Sequence, residues 1–337
     1  MHNLEKFLTD EQASQIIPKL GTEFAIVKNP DYIHPEFELY PLAPKIFHSI
    51  QRLSAAVMDM DGTTTTTESL CIHSLEYMIR KMTNRMSKQS WQGLDPIKDY
   101  PNIIGNSTTK HVEYLIHTYQ AYIDAEAMKH AYFHAALWFL LFGKDQRRIE
   151  ETRNNMVNLG CQDILKDEKL HKLIHTLNIE PEQFSKLAQE FLKQYGSNFL
   201  INSFSDIVRA GIDIYYQRYH EILGMIQAGT GETLSAQILG KPNAHLIEPM
   251  PGLGEFLALV KGWLSEDIKQ RLAHLVNAYQ KSNIDSDGPL LIEKLAKNLL
   301  KLGKKFETNP LKIAVVTSSI FYEAEIVIAE SNNRQYE

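Results

Sequence analysis

The chain contains little cysteine, no long basic run and no long apolar run. It has two cysteines, Cys71 and Cys161, too few for a cysteine metal cluster or a disulfide framework. Its longest apolar stretch, near 135–142, is far shorter than a membrane span, and residues 1–6 lack the pattern of a secretory signal. A net charge of −6 without a basic run argues against nucleic acid or an anionic membrane as the principal partner. We therefore expect a soluble, cytoplasmic protein with neither partner.

The bulk composition is that of an ordinary globular protein. The chain has 337 residues, of which 44% are hydrophobic and 23% are charged. This length predicts about two domains, each with a substantial core. The oligomeric state is left open by the sequence.

The most informative segment is 55–63, where a short apolar run leads into Asp59, Asp61 and Gly62. The apolar run predicts a buried strand, and alternation along a strand puts both carboxylates on one side at its carboxyl end. Open α/β sheets bind ligands at that end. One carboxylate can act as a nucleophile while the other transfers protons, and the glycine allows a sharp turn close to a ligand. The alternative is a hairpin turn, in which Asp-Gly is common.

A second strand of the same kind is predicted at 312–316. It ends in Thr317, Ser318 and Ser319, and a helix is predicted from 320 to 331. A strand, a hydroxyl-bearing loop and a helix form a typical phosphate site, because backbone N–H groups and the helix dipole face the anion.

The segment between the two strands is predicted to be almost wholly helical. Apolar residues recur at intervals of three and four from 68 to about 237, with helices expected at 109–142, 145–158, 181–194 and 203–227. Such a run without strands predicts a separate helical domain inserted after the first strand. A further helical insert is expected at 264–305.

Taken together, these elements resemble the haloacid dehalogenase (HAD) superfamily of phosphohydrolases. The helical insertion, and the loop Gly105-Asn106-Ser107 that opens a helix, are similar to the β-phosphoglucomutase and phosphoglycolate phosphatase branch. The resemblance implies an α/β fold with a Rossmann-like HAD core and a large inserted all-helical cap. The expected divisions are 1–67 for an N-terminal extension and the first core strand, 68–247 for the cap, and 248–337 for the return to the core.

The resemblance also implies roles for individual residues. Asp59 matches the nucleophile that forms an aspartyl-phosphate, and Asp61 matches the general acid and base. The Asp59 side chain and the Asp61 main-chain carbonyl would help to hold Mg²⁺. The remaining expected site residues contact the phosphate (Gly62, Thr317, Ser318) or the substrate from the cap side (Thr67, Gly105, Asn106, Ser107).

The expected activity is hydrolysis of a small phosphorylated metabolite. A β-phosphoglucomutase-type phosphomutase is an alternative, but the basic pair that a mutase would carry around Gly105 is missing. A second alternative is an inactive protein that keeps the fold for binding. The loop at Ser107 has an alternative interpretation too, as a plain helix N-cap.

The superfamily also requires a lysine and an acidic motif after the position of Thr317, and the residues up to Glu337 offer no candidates in that order. We therefore expect the 337 residues to be part of a longer protein, with an incomplete core and little phosphatase activity of their own.

Overall fold

The structure, a computed structural model, describes residues 9–20, 22–28, 37–42, 53–176, 181–283 and 288–333. These residues are mostly helical. Their α-helices are α1 (Asp10–Leu20), α2 (Glu68–Thr83), α3 (Tyr100–Ile103), α4 (Thr108–Tyr119), α5 (Ala125–Phe142), α6 (Gln146–Asn158), α7 (Glu168–Thr176), α8 (Pro181–Tyr195), α9 (Phe204–Gln227), α10 (Ser235–Leu239), α11 (Leu253–Lys261), α12 (Ile268–Asn283), α13 (Gly288–Glu307) and α14 (Phe321–Asn333). Their strands are β1 (Phe24–Lys28), β2 (Phe37–Pro41), β3 (Ala55–Asp59) and β4 (Lys312–Val316).

The strands form two separate two-stranded sheets in the described residues. β1 and β2 pair antiparallel, whereas β3 and β4 pair parallel, with Ala55 opposite Lys312 and Asp59 opposite Val316. The expected Rossmann-like core is therefore represented by one parallel pair. Among the described segments, only these two apolar runs form parallel strands, because the intervening chain has the periodicity of helices.

The main core lies in the helical segment between β3 and β4. α5 is apolar on most of its faces, as expected for a central helix, and it packs against α2, α6, α8 and α9. The predicted apolar face of α2 is fully buried, at Leu70, Leu75, Met78, Ile79 and Met82.

The longest helix in the described residues, α9, spans 24 residues and contacts α2, α4, α5 and α14. Gly211 lies where α9 crosses α4. A Cβ at this position would come within 2.8 Å of Ile116 Cδ1. Glycine therefore allows the two helices to pack closely, which places the aromatic residues of α9 beside the start of α4.

A smaller core joins the later helices. Ile268, Leu272, Ile292 and Ala296 pack together between α12 and α13, and α13 also packs on α11. The predicted insert at 264–305 corresponds to this helical pair. No helix in the described ranges is both long enough and apolar enough to span a membrane. Parts of the expected N-terminal extension, including 29–36 and 43–52, lie outside the described residues.

Candidate active site

Asp59 and Asp61 line one cavity at the carboxyl end of β3. Alternation along the strand predicts that the two carboxylates lie on the same side of it. Ser318 and Ser319 line the same cavity, because the parallel pairing brings the end of β4 beside the end of β3. The two strand ends predicted from the sequence therefore meet in the fold.

Three hydroxyl groups donate hydrogen bonds to the Asp61 carboxylate. Thr67 Oγ1 donates to Oδ1 at 2.6 Å, whereas Thr317 Oγ1 and Ser319 Oγ donate to Oδ2 at 3.3 and 3.0 Å. The Ser319 N–H also donates to Thr317 Oγ1 at 3.0 Å. These contacts fix the orientation of Asp61 and join both strand ends to the start of α2.

Gly62 makes the turn between the two carboxylates and α2. Its φ is +70°, a left-handed conformation that side chains disfavour, and a Cβ would lie 2.5 Å from Glu68 Oε1. The Gly62 N–H donates to the Thr65 carbonyl at 3.0 Å. In this structure the N–H expected to face phosphate is thus engaged within the turn.

The threonine run after Gly62 ties the site to the chain segment that returns from the helical domain. The Thr66 N–H donates to the Glu248 carbonyl at 2.9 Å, and the Glu248 N–H donates to Thr66 Oγ1 at 2.8 Å. The Met250 N–H donates to the Thr64 carbonyl at 2.9 Å. Threonines suit this position because their hydroxyls supply partners in addition to the backbone.

The loop before α4 forms another part of the cavity wall. Gly105, Asn106, Ser107 and Thr108 all line it. Ser107 occupies the N-cap position, but its side chain makes no capping hydrogen bond. The predicted substrate loop therefore lines the same cavity as Asp59 and Asp61. The Ser107 side chain does not cap α4 with a hydrogen bond.

A further wall comes from α9 and α14. Tyr215, Tyr216 and Tyr219 of α9 line the cavity together with Glu323 of α14. Glu323 is 3% exposed, and its Oε1 lies 2.8 Å from His220 Nε2.

Cys71 and His111 lie between these walls. Tyr215 donates from its hydroxyl to Cys71 Sγ at 3.4 Å, and His111 Nδ1 lies 3.9 Å from the same sulfur. Burial raises the pKa of the Cys71 thiol to about 12 and lowers the pKa of His111. At neutral pH both side chains are therefore uncharged.

Negative charge dominates the cavity. Its volume is about 320 Å³, and its lining includes Asp59, Asp61, Glu68 and Glu323 but no lysine or arginine. Burial, and then the charges of Asp61 and Asp59, raise the pKa of Glu68. The site is therefore short of positive charge, and a cation would be favoured in it.

The carboxylates supply the oxygen ligands that Mg²⁺ prefers. In the part of the chain that the structure describes, no group of three or more His, Cys, Asp or Glu residues is arranged to hold a metal ion. The donor chemistry fits Mg²⁺, and the Asp59 carboxylate with the Asp61 main-chain carbonyl would supply two ligands.

A larger cavity of about 660 Å³ lies elsewhere in the helical segment. It is lined by residues that include His130 and His134, which stand one helical turn apart on α5. Burial lowers the pKa of His134 to about 4, and its ring packs edge-on against Phe184 at 4.8 Å. The burial of His134 and its contact with Phe184 indicate that this side chain packs within the helical core.

Several residues of the site were not predicted from the sequence: Ser319, Glu68, Cys71, Thr108, His111, Tyr215, Tyr216, Tyr219 and Glu323. Ser319 could have been found, because it continues the hydroxyl run after β4. The tyrosines carry no such signal, since their spacing on α9 is also that of a helix packing in a core.

Comparisons with protein-family models, with curated proteins and with solved structures find no match for this chain.

Proposed function

We propose that this protein is a Mg²⁺-dependent phosphatase of the HAD type, acting in the cytoplasm on a small phosphorylated metabolite. The observation that carries the proposal is the shared cavity of Asp59, Asp61 and the hydroxyl loop after β4, with three hydroxyls donating to Asp61. We further propose that β3 and β4 belong to a Rossmann-like core and that the helices between them form its cap.

The proposed reaction has two steps. In the first, an Asp59 carboxylate oxygen forms a bond to phosphorus while the bond to the substrate's alcohol oxygen breaks, and Asp61 donates a proton to that oxygen. In the second, water forms a bond to phosphorus and the bond to Asp59 breaks, while Asp61 takes the proton from the water. The products are an alcohol and inorganic phosphate.

The hydroxyls around Asp61 support its proposed role. A residue that exchanges protons with both the leaving group and water must keep one orientation through both steps. Thr67, Thr317 and Ser319 provide this restraint from two different parts of the chain. When bound, Mg²⁺ would neutralise charge on the phosphoryl group and orient it toward Asp59.

The lining of the cavity favours a phosphatase over a phosphomutase. A mutase of this type must hold a second phosphate on the cap side. The lining near Gly105, Asn106 and Ser107 contains no lysine or arginine, which would ordinarily hold that phosphate. We therefore propose release of phosphate rather than its transfer within the substrate.

The test is an assay of the full-length protein with p-nitrophenyl phosphate and Mg²⁺, comparing the wild type with Asp59→Asn. The variant keeps the shape of the side chain but removes the attacking oxygen charge, so turnover should fall at least roughly 10³-fold. Asp163→Asn, at an exposed aspartate distant in sequence from the site, is the matched control and should keep wild-type turnover.

Wild-type turnover by Asp59→Asn would overturn the assignment of Asp59 as the nucleophile. In a parallel incubation with a sugar phosphate, formation of an isomer without free phosphate would identify a mutase. The absence of phosphoryl chemistry with any ester would indicate a binding protein.

A further inference from the structure

The lining of the cavity comes from chemically different parts of the fold. Asp59 and Asp61 lie at the strand end, where the phosphoryl group is proposed to react. Glu323 and the tyrosines of α9 lie on the walls formed by α9 and α14. A volume of about 320 Å³ accommodates a small ester. Its phosphate would lie near Asp59 and Asp61, and its alcohol part near other residues of the lining.

Glu323 has a fixed position in the cavity lining and can act as a hydrogen-bond acceptor for a ligand. It lies in the first turn of α14, where the helix dipole favours a carboxylate. Its Oε1 is held by His220 Nε2, and the side chain is almost fully buried. A carboxylate has further acceptor capacity beyond one hydrogen bond, so Glu323 can accept a hydrogen bond from a ligand.

Tyr216 and Tyr219 lie near this acceptor, because their ring centroids are 6.0 and 6.4 Å from that of His220, which contacts Glu323. Tyr215 and Tyr219 stack with their ring centroids 5.9 Å apart. Burial, and then the charges of Glu323 and Asp61, raise the pKa of Tyr219. Aromatic rings beside carboxylates are typical of sites for organic cations.

One ring of the tyrosine wall already contacts a cation. The guanidinium carbon of Arg148 lies 3.4 Å from the ring centroid of Tyr216. Arg148 is not among the residues that line the cavity. Tyr216 therefore already makes a cation–π contact with a protein side chain outside the cavity lining.

The buried side chain of His111 supplies an observation that does not depend on the carboxylates. His111 lines the cavity and is 7% exposed, and its Nε2 makes no hydrogen bond within the described part of the chain. Burial outweighs the opposing effect of the Asn106 and Ile103 backbone on the pKa of this ring, and neither residue makes a hydrogen bond of normal geometry to Nε2. A buried imidazole nitrogen left in this way is expected to have a polar ligand as its partner.

We propose that the alcohol part of the substrate carries an ammonium group, so that the substrate is an aminoalkyl phosphate. This inference rests on the proposed function. Glu323 would pair with the charge of the ammonium group, and the tyrosines that line the same cavity would offer their ring faces to that cation. An anionic alcohol part would be repelled by Glu323, and a neutral polyol would offer this carboxylate no cationic partner.

The test compares phosphocholine and phosphoethanolamine with glycerol 1-phosphate, which is of similar size but carries hydroxyls instead of a cation. With the full-length wild-type protein and Mg²⁺, kcat/KM should be at least roughly 10-fold higher for the ammonium esters, given a charge-assisted contact and cation–π contacts. Equal or better use of glycerol 1-phosphate would overturn the proposal without any variant.

Glu323→Gln should bring the ratio of kcat/KM between the ammonium and polyol esters down by roughly 10-fold, because the amide lacks the charge. Glu325→Gln is the matched control, because Glu325 is exposed on the same helix and does not line the cavity. It should keep the wild-type ratio. A wild-type ratio in Glu323→Gln would exclude Glu323 as the specificity residue.

Binding measurements separate this inference from the proposed function. If the protein hydrolyses none of the esters, calorimetry with Mg²⁺ should still show tighter binding of phosphoethanolamine, whose ammonium N–H can donate to Glu323, than of glycerol 1-phosphate. That result would keep the substrate class while the proposed hydrolysis fails. Equal binding of the two esters would overturn the substrate class.

Discussion

Asp61 shows how one side chain depends on residues far away in the sequence. Two of its hydroxyl partners, Thr317 and Ser319, come from the loop after β4, and the third, Thr67, is the N-cap residue of α2. The sequence predicted Thr317 and Ser318 as phosphate ligands. In the fold, Thr317 and Ser319 reach Asp61, and Ser318 lines the cavity.

We predict that Ser319→Ala lowers kcat roughly 10-fold with little change in KM, because a charge-assisted hydrogen bond to Asp61 is lost while the cavity keeps its lining. Steady-state kinetics with p-nitrophenyl phosphate would measure both constants. Thr317→Ser is the comparison, since it retains the hydroxyl and should remain near wild type. A change confined to KM in Ser319→Ala would show that Ser319 binds substrate instead.

At the scale of elements, local patterns predicted most of the helices and both strands of the site. The expected burial of β3 is wrong, because β3 pairs only with β4 in the described residues and Val57 is 65% exposed. The predicted segments 145–158, 181–194 and 203–227 correspond closely to α6, α8 and α9. The reason is that amphipathic spacing is a local property of the chain. The tyrosine wall and the Glu323–His220 pair could not be predicted, because they depend on how α9, α14 and α4 pack together.

The start of α9 is fixed by a reciprocal capping box. The Ser203 side chain accepts from the Asp206 N–H, and the Asp206 side chain accepts from the Ser203 N–H. This cap satisfies backbone donors that the first turn would otherwise leave unpaired. Because α9 carries the tyrosines, the cap also helps to position the wall of the cavity.

We predict that Ser203→Ala lowers the free energy of unfolding by about 1 kcal/mol. Urea unfolding followed by circular dichroism would measure the change. Ser205→Ala, two residues further into the same helix, is the control and should be neutral or slightly stabilising because alanine favours helix. A loss as large in the control would mean that the capping box is not the cause.

At the scale of the whole molecule, a buried carboxyl links stability to pH. Asp213 on α9 is 3% exposed and accepts from Thr152 Oγ1 and from Asn155 Nδ2, each at 3.2 Å. Burial raises the pKa of Asp213 from 3.8 to about 7. A carboxyl whose pKa is raised in the folded state contributes its full stabilisation of the fold only at pH values below its pKa in the unfolded state. Its contribution is lost as pH rises through the folded-state pKa.

We predict that Asp213→Asn becomes more stable relative to wild type as pH rises from 4 to 7. Asparagine does not titrate, so the variant escapes a loss that reaches up to roughly 4 kcal/mol in the wild type. Unfolding free energies of both proteins, measured at several pH values across this range, give the difference directly. A difference that stays constant with pH would contradict the raised pKa.

The parallel pairing of β3 with β4 also has a consequence for how the protein is made. Thr317 lies 256 residues after Asp61. A ribosome adding 5 to 20 residues per second needs roughly 13 to 50 s to cover that distance. The helices between the strands can fold during this interval, because their contacts are more local. Asp61 is therefore synthesised early but gains its partners Thr317 and Ser319 late, so the site should be completed only after the intervening helices have folded.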